Sequence, residues 1–198
     1  MFIIRQKEGR KQALLYAKKK RYNESMSKNT LEVGPDHHLT PKLVSEVAHN
    51  PKIKVVLSPR AKKKIIASRK VVERIVKQRK VVYGITTGFG SFKDTFIEKE
   101  NVRELQKNLI RSHSSGVGRH FSHEMVRAAM LVRLNSLAQG FSGVRLEFLE
   151  FLVTLINRNI VPVVPSQGSV GSSGDYNLTF CCKSIILKTD FSNSNNIK

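Results

Sequence analysis

Apolar residues recur at helical spacing in several stretches of this chain, and residues that start or stop helices bracket each stretch. Thr40 followed by Pro41 reads as an N-cap with proline at the first helical position. Leu43, Val44, Val47 and Ala48 then form a short apolar face that Asn50-Pro51 ends. Residues 53–57 read as a brief extended segment. Ser58-Pro59 repeats the cap signal, and Ala61, Ile65, Val72, Ile75 and Val76 keep helical spacing to about residue 79. Asn101 to Glu104 reads as a capping box, with Leu105, Leu109 and Ser112 on one face of the helix that follows. Ser122 caps a further helix whose inner positions are Val126, Met130, Leu134 and Leu137, ending at Gly140. Ser142 is expected to start the last, with Leu146, Leu149, Leu152, Val153 and Ile156 inside. The pattern predicts a mainly α fold.

Two glycine-rich segments interrupt it. Glycines at 84, 88 and 90 forbid a helix, so Tyr83 is expected on a loop between helices. The second segment, Gly168-Ser169-Val170-Gly171-Ser172-Ser173-Gly174-Asp175, follows the stiff approach Val161-Pro162-Val163-Val164-Pro165. Its tripeptide Ser172-Ser173-Gly174 allows an unusual reaction. The unshielded nitrogen of Gly174 can attack the carbonyl carbon of Ser172 and close a five-membered ring. Dehydration of Ser173 then leaves an exocyclic methylidene, an electrophile that no ordinary side chain supplies. An ordinary small-residue turn is the alternative reading. The glycine spacing does not match a phosphate-binding loop, and no Lys-Ser or Lys-Thr follows it.

Charge changes the picture more than composition does. With 35 Lys and Arg against 15 Asp and Glu, the 198-residue chain carries a formal +20, and its pI is near 10.3. Such an excess favours acidic partners, nucleic acid among them. Much of it lies on the polar face of the residue 59–79 helix, where no aromatic residues are interleaved for base stacking, so a solvated helix face is the simpler reading. Residues 1–36 read as a basic leader, expected to be disordered, and residues 188–198 as a polar, disordered tail. No apolar run approaches the roughly 18 residues of a membrane span. The adjacent Cys181 and Cys182 suit a reduced, cytoplasmic protein. The histidines lack carboxylate or cysteine partners at ligand spacing, so no metal is assigned.

Four segments in register carry a resemblance. They are residues 82–90 (Val-Tyr-Gly-Ile-Thr-Thr-Gly-Phe-Gly), 105–118, 133–143 and the 168–175 loop. Together they resemble the aromatic amino acid ammonia-lyases, and the pair Ser112-His113 is similar to the histidine branch. The resemblance implies the N-terminal helical portion of an ammonia-lyase helical bundle, with active-site segments borne on loops. It implies a methylidene-imidazolone formed autocatalytically from Ser172, Ser173 and Gly174, with no external cofactor. The methylidene carbon would come from Ser173. Tyr83 matches the family's catalytic base, and His113 matches the position that contacts the substrate ring. The implied reaction is elimination of ammonia from L-histidine to give urocanate, a step of histidine catabolism, in a homotetramer. The family has Ala where Ser172 stands; that side chain stays outside the ring. Beyond Asp175 the family pattern stops. The expected domain is therefore a truncated one, residues 37–187, with activity impaired because other active-site groups come from later sequence and neighbouring subunits. A lyase for another aromatic amino acid and an inactive basic binding or regulatory fragment remain as alternatives.

Overall fold

The computed structural model describes residues 26–27, 29–87, 97, 104, 105, 108 and 116–168. The leader as far as residue 25, the cysteine pair and the polar tail lie outside them. The described fold is mainly α, as the periodicity predicts. It comprises strands β1 (Met26–Ser27), β2 (Thr30–Val33), β3 (Lys54–Leu57), β4 (Val117–His120) and β5 (Pro165–Gln167), with helices α1 (Pro41–His49), α2 (Pro59–Lys77), α3 (His123–Ala138) and α4 (Leu146–Asn157). Residues 104, 105 and 108 are helical too, in the stretch expected to be a helix. The chain divides into two compact units, residues 1–68 with 131–159 and residues 69–130 with 160–198.

The first unit is built on a three-stranded sheet in the order β1-β2-β3. β2 and β3 run parallel, with Leu31 opposite Val55 and Val33 opposite Leu57, and α1 makes the crossover between them. All four of these side chains are buried, as are Leu43 and Val47 of α1, Ala61 and Ile65 of α2, and Leu131, Leu134 and Leu137 of α3. α4 packs on β3 and buries Leu149, Leu152, Leu155 and Ile156. Burying side chains of this size contributes about 1.5–3 kcal/mol each. β2 lies within the stretch read as a basic leader, so ordered structure begins before residue 37.

Caps settle where the helices start. Thr40 Oγ1 accepts from Leu43 N at 3.3 Å, Ser58 Oγ from Ala61 N at 3.0 Å and Ser122 Oγ from Met125 N at 3.3 Å. Each satisfies one of the amides that a helix N-terminus leaves open. α4 departs from the expected start at Ser142 and begins at Leu146, with no side-chain cap. The cause is Gly143, which adopts φ +63° and gives its N–H to Ser68 Oγ at 3.0 Å, so the chain is still turning there.

The outer edge of β3 is closed by a side chain. Asn157, the last residue of α4, accepts from Val55 N through Oδ1 at 2.7 Å and donates to Val55 O through Nδ2 at 2.9 Å. It meets both peptide groups of Val55 as a neighbouring strand would. Asn157→Ala strands both groups at a part-buried position, and the expected loss is about 2–3 kcal/mol. Asn157→Asp, which keeps the acceptor and drops the donor, should fall between. Urea unfolding checks this: an unchanged midpoint for the Ala variant would contradict the bridging role.

In the second unit, β4 and β5 form an antiparallel ribbon with Val117 opposite Gln167 and His120 opposite Pro165. Phe121 N donates to Val164 O at 2.9 Å, and Val164 is buried beside the ribbon. Gly118 sits at φ +84°, where a side chain is strained by the backbone angle, and a Cβ there would press on the Gln167 side chain, 3.0 Å from Cδ.

Candidate active site

The segment that carries Tyr83 is a turn tied down by a single threonine. Thr86 Oγ1 accepts from Val82 N at 2.9 Å and lies 2.5 Å from Lys80 O, to which it donates. Thr86 N donates to Val82 O at 3.0 Å, and Thr86 O accepts from Ile97 N at 2.9 Å. Every polar group of this buried residue is therefore engaged. Gly84, at φ +71°, lets the chain reverse immediately after Tyr83. Tyr83 itself is 63% exposed. The turn is held by Thr86, and the phenol is displayed from it, as a loop position predicts.

The ribbon constrains the other candidates without reaching them. His113, Ser172, Ser173 and Gly174 lie outside the described residues, as does Asp175. Their tethers are described. His113 stands four residues before Val117, and Ser172 five residues after Gln167, and these two strand residues are paired partners. Even fully extended, tethers of that length span about 14 and 18 Å. The paired residues Val117 and Gln167 flank these two segments in sequence, and they belong to the same unit as the Tyr83 turn.

A charged residue absent from the expected site also belongs to this unit. Arg127 of α3 is completely buried, and burial pushes its guanidinium down from the ordinary arginine value. Its signal in sequence was a cation set between Val126 and Met130, inside an otherwise apolar helical register. A buried guanidinium is costly unless acceptors surround it. Among the described residues, no group of three His, Cys, Asp or Glu side chains is placed to hold a metal ion, and no helix is long and apolar enough to cross a membrane.

The family model for aromatic amino acid lyases matches residues 39–180, well over half of the chain. This chain belongs to the aromatic amino acid lyase family. Histidine ammonia-lyase from Natranaerobius thermophilus is 57% identical to it over 93 residues, covering 47% of this chain and 18% of that protein. Among solved structures, histidine ammonia-lyase from Trypanosoma cruzi aligns with a TM-score of 0.62 at 39% identity, over 67% of this chain and 25% of that one. The ergothioneine-degrading ergothionase of Treponema denticola aligns with a TM-score of 0.69 at 30% identity, over 76% of this chain and 30% of that one. The lyase chain described here therefore spans under a third of each of these relatives. Its fold is the helical one of these neighbours.

Proposed function

We propose that this chain carries the electrophile-forming part of a histidine ammonia-lyase, acting on L-histidine to give urocanate and ammonia. The observation that carries the reading is the β4–β5 pairing, which ties the flank of His113 to the flank of Ser172-Ser173-Gly174 in a chain related to histidine ammonia-lyases.

The donor set fits a methylidene-imidazolone: a glycine nitrogen free of Cβ shielding, a carbonyl two residues before it, and a serine between them that can lose water. When formed, that ring supplies an electrophile that draws electrons from the substrate amine and makes ammonia a workable leaving group. Tyr83 acts as the base. Its oxygen takes the proton from the substrate β-carbon, the C–H electrons become the Cα–Cβ double bond, and the C–N bond breaks. A neutral phenol is a weak base, so this role requires a cation, a helix N-terminus or a donor beside it in the assembled site to favour the phenolate. The Thr86-bound turn holds the phenol's backbone still, which limits the reorientation needed to reach the β-proton. His113 contacts the substrate imidazole and sets the preference for histidine. The lyase domain is proposed to occupy residues 37–187 of a cytoplasmic protein.

The test is the mass of the purified chain and of its peptide spanning residues 159–183. The expected result is a deficit of two waters, about 36 Da, confined to Ser172 through Gly174. An unmodified peptide would overturn autocatalytic ring formation in this chain. Ammonia released faster from L-phenylalanine or L-tyrosine than from L-histidine would instead overturn the substrate assignment.

A further inference from the structure

We propose that the first unit carries a binding surface for single-stranded nucleic acid, centred on Phe141. This aromatic side chain is 82% exposed, the most exposed of the large apolar residues described. Both flanks of its loop are fastened to α2. Gly140, at φ +79°, lies so close that a Cβ there would be 2.6 Å from Lys64 Cβ and 3.0 Å from the Lys64 carbonyl carbon. Gly143 gives its N–H to Ser68 Oγ. The ring is thus presented from a fixed loop, and Lys64 Nζ stands 5.2 Å from its centroid.

The surroundings are cationic. Lys62 pairs with Glu150 and Arg60 with Asp36, whereas half-buried Lys64 and the exposed Lys63 and Arg145 have no ion pair among the described residues. The linear sequence separates these parts: the basic run ends long before the aromatic appears. The fold puts an aromatic residue beside the basic start of α2, which the sequence pattern lacked. A displayed ring with an unpaired lysine over it, on a helix that carries further lysines, is the pairing that single strands use, bases stacking on an aromatic face while phosphates meet cations. The formal +20 of the chain gives that surface a complementary polyanion over longer range. A duplex, whose bases are already stacked, makes no comparable use of one exposed ring.

The experiment is fluorescence anisotropy of a labelled oligothymidylate of about 15 nucleotides against the whole chain across a salt series. Phe141→Ala and Phe141→Leu should each weaken binding by about tenfold, with Phe141→Trp binding as tightly as wild type. Lys63→Ala and Arg145→Ala should each lower the salt slope by about 0.7 and leave the response to ring substitution unchanged. Circular dichroism checks that the variants fold. Absence of binding at low salt overturns the proposal. So does equal affinity of the wild-type and Phe141→Leu proteins, which would mean charge attraction without stacking. Heparin as a base-free polyanion and phosphatidylserine vesicles as an anionic surface complete the test. Phe141-dependent binding to the vesicles with none to the oligonucleotide also overturns it.

Discussion

Ser173→Ala is expected to abolish the two-water deficit in the residue 159–183 peptide and, with it, all measurable release of ammonia from L-histidine. The argument is one of atoms. In the proposed ring the exocyclic double bond arises by losing the Ser173 hydroxyl as water, and alanine has no oxygen to lose. Ring closure between Gly174 N and the Ser172 carbonyl carbon could still remove one water, so the variant's deficit can never exceed about 18 Da. Ser172→Ala is the matched control, because that side chain stays outside the ring; its deficit should equal the wild-type value. A full two-water loss in the Ser173→Ala protein would mean that the dehydrating serine has been misassigned.

Tyr83→Phe should separate chemistry from cofactor formation. The ring mass on Ser172 through Gly174 stays, while turnover of L-histidine falls by about 10²–10⁴, the range that one general base contributes. The substitution deletes a single oxygen from a side chain that is 63% exposed, and the turn beneath it is held by Thr86. The melting temperature should therefore not move. Turnover within an order of magnitude of the unsubstituted chain would remove Tyr83 from the role of base. Loss of the mass deficit in this variant would instead make Tyr83 part of ring formation.

Features decided by local chemistry were legible in the sequence. Thr40, Ser58 and Ser122 were expected as caps and are caps, because a capping bond spans only three residues. Val126, Met130, Leu134 and Leu137 were expected inside and are buried, because a regular helix preserves its register over four turns. Tyr83 was expected on a loop, since glycine spacing alone forbids a helix there. Features decided by distant partners were not legible. β2 carries only Leu31 and Val33 as inward apolar residues, and it becomes a strand by pairing with β3 after an intervening helix. The later start of α4 depends on a serine of α2, and the approach of Lys64 to Phe141 depends on the same loop. Arg127 breaks the apolar pattern of its helix, yet its burial is decided by what surrounds it.

The Asn157 bridge has a consequence for the order in which the first unit can be completed during synthesis. Its two bonds to Val55 join residues 102 positions apart. At translation rates of about 5–20 residues per second, β3 leaves the ribosome roughly 5–20 seconds before the residue that closes its edge. Through that interval the strand can pair with β2 on one side, while its other side offers open peptide groups to any extended segment nearby. A nascent-chain chaperone, or simple dilution, would protect this edge until α4 arrives. Overexpression, by shortening the distance between nascent chains, would select for insoluble material before the fold had a chance to finish.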